Sequence, residues 1–165
     1  MNVFDFDHTL YDGDSTIDFW RYCLRHQPRA LAAIPHQLKC YAAFSVGRID
    51  RDSFKEGFYC FLSLLSQPTQ TVDAFWHKHM RKINRHILKI AQPGDVVISA
   101  SPEFLLKKPC DTFGLSLIAS KVDIRNGTLR GANCRGSEKV RQFKETLPYT
   151  EISAFYSDSM SDAPM

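Results

Sequence analysis

The stretch Asn2–Leu10 constrains this chain most, because two carboxylates and a hydroxyl follow directly on a short apolar run. Asp5, Asp7 and Thr9 are spaced two apart, and in a strand such residues share one face. Asp5 and Asp7 should therefore project from the end of a buried strand towards one point. Two carboxylates so close repel each other unless a proton or a cation lies between them. Magnesium fits this need, since it prefers hard oxygen ligands and keeps waters that a substrate phosphate can displace.

Three further stretches extend this pattern in chain order. They are a strand that ends in Ser99, a helix entry that carries Lys139, and a strand followed by Asp158 and Asp162. Together with the first motif they resemble the haloacid dehalogenase (HAD) superfamily, and the residues around Ser99 and Lys139 resemble its phosphoserine-phosphatase-like branch. The resemblance extends over residues 2–165. The first motif alone would equally suit a polar turn after a strand.

The resemblance implies a catalytic pair of aspartates and a lysine. Asp5 is the expected nucleophile, which attacks phosphorus and becomes an aspartyl phosphate. Asp7 is the expected general acid and base, which protonates the leaving oxygen and later deprotonates water. Lys139 should neutralise charge on the transferring phosphoryl group. Some relatives carry this lysine just before the helix glycine, so Arg135 is the alternative to Lys139.

The same resemblance implies binding sites for phosphate and metal. Phosphoryl oxygens are expected at Ser99 and at the backbone amide of Ala100, with support from Thr9. The expected magnesium site combines groups from the first and fourth motifs, and its residues are Asp5, Asp7 through its backbone carbonyl, Asp158 and Asp162. Asp162 could bind the ion through a water molecule or could instead orient another group.

The spacing between the first two motifs defines the expected architecture. About ninety residues separate Asp5 from Ser99, although a crossover between parallel strands needs only about a dozen. We therefore expect an α/β fold, a doubly wound Rossmann-like parallel sheet formed by residues 1–14 and 92–165, with an α-helical cap inserted at residues 15–91. The alternation of strands and helices after residue 92 favours such a sheet, with the site at the carboxyl ends of its strands.

Local signals predict the elements within these segments. Proline and glycine divide the cap into helices expected at residues 16–26, 29–45, 51–65 and 70–91. Phe54, Phe58 and Phe61 recur at helical spacing and are expected in the core of the helical bundle rather than around a ligand. Asn126-Gly127 favours a β-hairpin at residues 121–130. The HAD pattern continues beyond the fourth motif, so the C-terminal part of the core is expected to be missing.

Charge divides the chain by segment. Residues 15–91 hold 12 Lys and Arg against 5 Asp and Glu, whereas the remainder holds 9 against 13. An acidic part that binds a cation beneath a basic part that attracts an anion suits a small phosphorylated metabolite. The net charge of +3 is too small and too dispersed to favour a nucleic-acid partner. No apolar stretch is long enough for a membrane span and no signal peptide precedes the first strand, so we expect a cytoplasmic protein without a membrane partner.

These features predict a magnesium-dependent hydrolase of a small phosphomonoester. One alternative is a non-catalytic HAD-like scaffold, against which both Asp5 and Asp7 argue. A dehalogenase is the other, and it has little use for Asp7 or for metal-binding aspartates. Phosphoserine is one candidate substrate, because phosphoserine phosphatases bind the amine with an acidic residue near the position of Asp14. Asp14 could equally cap the next helix, and Lys55 or Glu56 lies near the expected position of the carboxylate-binding arginine.

Overall fold

A computed structural model describes residues 1–165, apart from the side chain of Ser161. Within the described chain, four strands form one parallel sheet in the order β3-β2-β1-β4, and they are β1 (Asn2–Phe4), β2 (Val96–Pro102), β3 (Ser116–Ser120) and β4 (Ala154–Tyr156). Val3 at the centre pairs with Val96 on one side and with Phe155 on the other. The predicted α/β fold with a parallel sheet is therefore confirmed.

The chain between β1 and β2 is helical, with the order α1 (Ser15–His26), α2 (Ile34–Ser45), α3 (Arg51–Tyr59), α4 (Pro68–His79) and α5 (Arg85–Leu88). Short 3₁₀ helices at Pro28–Ala33, Cys60–Leu64 and Met80–Lys82 interrupt three segments that the sequence predicted as continuous helices. The first break has a clear cause, because Pro35 at the start of α2 lacks an N–H and its ring disfavours helix in the preceding turn. The division into core and cap stays a prediction.

After β2 the chain alternates helices and strands, with α6 at Glu103–Phe113 and α7 at Ser137–Thr146. The predicted β-hairpin at residues 121–130 is present in a short form with a different turn. Val122 and Leu129 form an antiparallel bridge, flanked by hydrogen bonds from the backbone N–H of Asp123 to the carbonyl of Thr128 and from that of Arg130 to the carbonyl of Lys121. The loop is therefore residues 124–127 and not Asn126-Gly127 alone. A Cβ at Gly127 would lie 2.5 Å from the carbonyl oxygen of Tyr59. The turn is thus packed tightly against the end of α3.

An aromatic cluster joins the helical segment to the sheet. The rings of Phe6 and Tyr11 contact Trp76 edge to face, with centroids 6.0 and 5.6 Å apart. The indole N–H of Trp76 donates a hydrogen bond of 2.7 Å to the carbonyl of Leu105 in α6. This buried packing holds α4 against the sheet and α6. The helical segment and the strand ends therefore share one apolar core.

In the described part of the chain, no helix combines the length and the apolar character that crossing a bilayer requires.

Candidate active site

Polar side chains of all four motifs meet where the parallel strands end. β1 leads into Asp5, β2 contains Ser99, and β4 leads into the loop with Asp158. The carboxyl ends of parallel strands lie at one edge of a sheet, and these residues line one pocket of about 220 Å³. The other predicted site residues that line this pocket are Asp7, Ala100, Arg135, Lys139 and Asp162.

Asp5 is fixed through one carboxylate oxygen. Its Oδ1 accepts a hydrogen bond of 2.9 Å from the backbone N–H of Phe6 and lies 3.0 Å from Nζ of Lys139. Burial raises the pKa of Asp5 above its usual value, and the neighbouring ammonium opposes this rise. The lysine therefore favours the ionised carboxylate that a nucleophile requires.

Lys139 lies between two carboxylates, in the first turn of α7. Its side chain is 2% exposed, and its Nζ donates a hydrogen bond of 2.5 Å to Oδ2 of Asp162. The hydroxyl of Ser157 donates to the same oxygen at 3.0 Å. Asp162 thus neutralises and orients the lysine, which matches the orienting alternative for this aspartate. Arg135 is exposed at the pocket, and it is Lys139 that contacts Asp5.

Asp7 turns towards the helical segment and not towards Lys139. Its Oδ1 accepts a hydrogen bond of 2.7 Å from the backbone N–H of Ser15, and its Oδ2 accepts one from the hydroxyl of Ser101. Burial raises the pKa of Asp7 to about 6, although both hydrogen bonds oppose the rise. The next residue, His8, has a φ of 58°, which turns the chain sharply after Asp7. A carboxyl group with this pKa exchanges protons readily near neutral pH.

Thr9 and Ser99 take different positions relative to the pocket. Ser99 lines it, and its hydroxyl oxygen accepts a hydrogen bond of 3.1 Å from the backbone N–H of Ser101, which leaves the hydroxyl proton for a ligand. The hydroxyl oxygen of Thr9 accepts a hydrogen bond of 3.2 Å from the backbone N–H of Asp158. Thr9 therefore positions the loop of the fourth motif, while its predicted support of phosphate is not visible in these contacts.

A second cavity of about 290 Å³ adjoins the pocket on the side of Asp7 and Ala100. Asp14 lines this cavity and also caps α1, because its Oδ1 accepts a hydrogen bond of 2.9 Å from the backbone N–H of Ile17. Both interpretations of Asp14 are therefore compatible with its position.

The cavity is also lined by Phe54 and Phe58. Phe58 packs on the rings of Trp20 and Phe61, as the predicted bundle core requires, so this ring belongs to the edge of the core and also faces the cavity. The register of Phe54 and Phe58 on α3 faces them towards the strand ends.

Lys55 is the cation of this second cavity. Its Nζ donates hydrogen bonds of 2.7 Å to the carbonyl of Ala100 and 2.6 Å to Oδ1 of Asn133. Burial lowers the pKa of Lys55 to about 8. Glu56, the alternative considered from the sequence, accepts a hydrogen bond from the backbone N–H of Leu129 and is absent from the cavity lining.

The carboxylates available to a metal ion are fewer than the sequence suggested. Among the described side chains, no three of the types His, Cys, Asp and Glu are placed to hold one ion together. All four predicted metal-binding aspartates line the pocket. Both oxygens of Asp7 accept hydrogen bonds and the buried carboxylate of Asp162 is paired with Lys139, so Asp5 and Asp158 are the carboxylates left to bind an ion. Two hard oxygen donors fit magnesium, which takes most of its ligands from water and substrate. The donor set therefore suits a weakly held magnesium ion.

Sequence reasoning missed two groups that this geometry makes important, Ser101 and Asn133. Ser101 bonds to Asp7, and it follows Ser99 by two residues in β2, a spacing that places both side chains on one face. That signal was present in the sequence. Asn133 accepts hydrogen bonds from both Lys55 and Ser120, and no pattern along the chain connects these three positions.

Comparison with known proteins places the whole chain in one family. A family model described as haloacid dehalogenase-like hydrolase matches residues 3–165. No match was found among curated proteins.

Solved structures share the fold at low sequence identity. A protein of unknown function from Bordetella pertussis Tohama I superposes with a TM-score of 0.81 at 20% identity, over 99% of this chain and 84% of that one. A phosphoserine phosphohydrolase-like protein from Francisella tularensis gives a TM-score of 0.59 at 16% identity, over 99% of this chain and 81% of that one. A substrate-bound phosphoserine phosphatase gives 0.53 at 16% identity, over 98% and 78% of the two chains.

Proposed function

Because this chain belongs to the haloacid dehalogenase-like hydrolase family, we propose that it is a magnesium-dependent phosphatase of small phosphomonoesters that works through a phosphorylated Asp5. The main support is the contact of 3.0 Å between Asp5 and the buried ammonium of Lys139, at the end of β1. A carboxylate nucleophile must approach an anionic phosphate, and a fixed cation beside it reduces their repulsion. Ser99 adds a hydroxyl donor on the same pocket.

The first chemical step transfers the phosphoryl group to the enzyme. Both contacts of Asp5 with its neighbours use Oδ1, so Oδ2 is the atom that attacks phosphorus. As the new bond forms, the bond from phosphorus to the ester oxygen breaks, and that oxygen keeps the electron pair and takes the proton of Asp7. The raised pKa of Asp7, about 6, supports its role as the acid.

The second step releases phosphate and restores the enzyme. Asp7 is now ionised and accepts a proton from a water molecule that attacks phosphorus. The bond from phosphorus to Oδ2 of Asp5 breaks, and the electron pair returns to the carboxylate. Ser15 and Ser101 hold Asp7 in one orientation throughout, so the same carboxyl group serves both steps.

The expected magnesium ion would be held by the carboxylates of Asp5 and Asp158 and by the backbone carbonyl of Asp7. When bound, the ion neutralises charge on the transferring phosphoryl group. Thr9 contributes indirectly, because its hydroxyl fixes the backbone of Asp158. Lys139 supplies the other positive charge, and Asp162 holds it in place.

The second cavity is proposed to receive the part of the substrate that leaves. Its volume of about 290 Å³ suits a small organic group, and neither a folded protein nor duplex nucleic acid fits such a space. Asp14 and Lys55 offer opposite charges on its wall, and Phe54 and Phe58 add apolar surface. A zwitterionic leaving group such as that of phosphoserine matches this arrangement and is one candidate among small phosphomonoesters.

The proposal is tested by assay of a panel of phosphomonoesters with magnesium and with excess chelator. We expect turnover only with magnesium. Asp158→Ala should raise the magnesium concentration needed for half-maximal rate, because the protein contributes few ligands to the ion. Full activity in chelator would contradict the metal assignment, and absence of turnover on every ester would contradict the proposed activity.

A further inference from the structure

The surface formed by α2 and the residues that flank it carries an unusual share of the exposed apolar side chains. Seven large hydrophobic residues are exposed in the described chain, and four of them lie between residues 31 and 46. Their exposed fractions are 47% for Leu31, 63% for Leu38, 61% for Tyr41 and 68% for Val46. Scattered exposed hydrophobic residues are ordinary, whereas a group on one element marks an interaction surface.

Leu38 and Tyr41 lie on one side of α2, and Leu31 and Val46 flank the helix at its two ends; these four are called the stripe residues. At about 100° per residue, Tyr41 lies about 60° to one side of Leu38 and Pro35 about 60° to the other. Gln37 is buried, and its side chain bonds to Trp20 and to the carbonyl of Phe58. It lies about 100° around the helix from Leu38 but only about 40° from Tyr41. Tyr41 is therefore at the edge of the buried face, where its ring contacts that of Phe54 with centroids 6.3 Å apart, whereas Leu38 lies on the exposed face of the anchored helix.

The same segment is exclusively basic. Residues 28–49 contain Arg29, Lys39 and Arg48 and no Asp or Glu, and all three cations are exposed. Among the described residues, none of these three has an ion-pair partner. The partner of this surface should therefore be both apolar and negatively charged.

We propose that α2 and the preceding 3₁₀ helix dock onto the surface of an anionic lipid bilayer. An interfacial helix places an apolar stripe at the level of the headgroups while lysine and arginine contact anionic lipid. A second copy of the chain fits less well, because two copies of this basic segment would repel each other. The proposal revises the expectation of no membrane partner, which rested on the lack of a spanning segment.

The docked surface lies close to the second cavity. Phe44 of α2 stacks on Phe54 of α3 with ring centroids 4.8 Å apart, and Phe54 lines that cavity. Docking would therefore hold the cavity near the bilayer. The docking proposal does not depend on the proposed phosphatase activity, since none of the stripe residues lines either the pocket or the cavity.

Vesicle flotation tests the proposal with the purified chain. We expect binding to vesicles of phosphatidylcholine mixed with phosphatidylglycerol, little binding to phosphatidylcholine alone, and release by added salt because exposed charges are screened. Leu38→Ser with Tyr41→Ser should abolish binding. The matched control is Ile90→Ser with Tyr149→Ser, which removes two exposed hydrophobic residues elsewhere and should leave binding unchanged. No binding to the anionic vesicles, or equal loss in both pairs, would overturn the proposal.

Further variants test the contribution of charge to binding and the contact of Leu38 with the bilayer. Lys39→Glu should weaken binding by at least about fivefold, the contribution of one lysine near an anionic surface, whereas Lys89→Glu outside the segment should not. Leu38→Trp keeps the apolar character, and its fluorescence should shift to the blue on addition of anionic vesicles, unlike that of Tyr149→Trp. If instead the chain is a dimer in solution that Leu38→Ser with Tyr41→Ser dissociates, the surface belongs to a second copy and the proposal is wrong.

Discussion

Nζ of Lys139 lies 2.5 Å from Oδ2 of Asp162, and both side chains are almost completely buried. The pair connects the first turn of α7 with the short 3₁₀ helix at Met160–Asp162. A buried charge of this kind is tolerated only with a partner of opposite sign. Asp162 therefore allows the lysine to stay charged beside Asp5, where the proposed chemistry needs it.

Asp162→Asn should lower the stability of the fold. The substitution keeps the shape of the side chain but leaves Lys139 with Asp5 as its remaining charged contact, and breaking a buried ion pair in this way costs about 3 kcal/mol. Urea denaturation at neutral pH measures the loss. Asp158→Asn is the control, because this exposed carboxylate lies in the same loop and its removal should change the free energy of unfolding by less than about 0.5 kcal/mol. Equal effects of the two variants would contradict the role given to Asp162.

The two chemical steps should depend on pH in opposite directions. Asp7, with a pKa of about 6, must be protonated to act on the leaving oxygen, so the rate of enzyme phosphorylation should fall as pH rises through about 6. It must be ionised to activate water, so hydrolysis of the phosphoenzyme should rise over the same range. Single-turnover measurements separate these rates.

A change of leaving group provides the control for that profile. The nitrophenolate of p-nitrophenyl phosphate leaves without a proton. With this substrate the rate of enzyme phosphorylation should therefore not fall above about pH 6, whereas with alkyl phosphates it should. Asp7→Asn should remove both pH dependences. A fall that persists unchanged with p-nitrophenyl phosphate would assign the titration to another group.

Two substitutions of Asp14 separate its roles as helix cap and as substrate contact. Asp14→Ala removes the cap and should cost about 1 kcal/mol of stability, whereas Asp14→Asn keeps a capping oxygen and removes only the charge. If Asp14 contacts an amine, both variants should lower kcat/KM for phosphoserine relative to glycerol 3-phosphate. Asp50→Ala, which removes the cap of α3, should affect stability alone. A lower melting temperature with an unchanged substrate ranking in Asp14→Ala would leave only the capping role.

Strand direction predicts that the motif residues meet at one edge of the sheet. Asp5 follows β1, and the carboxyl ends of parallel strands lie together. The sequence predicts Ser99 at a strand end, and β2 instead continues past it to Pro102. The choice of Ser99 and Lys139 as phosphate-facing residues depends on the resemblance to the family and not on strand direction.

Other features depend on contacts between distant segments. Lys55 reaches Ala100 and Asn133 only because α3 packs over the strand ends, and a sequence pattern records no such approach. The close approach of Gly127 to the backbone of Tyr59 has the same origin, and it occurs within a longer loop than the two-residue turn that Asn126-Gly127 predicted. The orientation of Asp7 likewise depends on its hydrogen bonds with Ser15 and Ser101, of which Ser101 is 94 residues away in the sequence.

Phosphoryl transfer to Asp5 can be observed by trapping the phosphorylated enzyme. The chain is mixed with p-nitrophenyl phosphate radiolabelled in the phosphoryl group, quenched in acid, digested and sequenced by mass spectrometry. We expect label on Asp5 that hydroxylamine releases, and neither label nor turnover in Asp5→Asn. Label on another residue, or turnover by Asp5→Asn near the wild-type rate, would contradict the proposed role of Asp5.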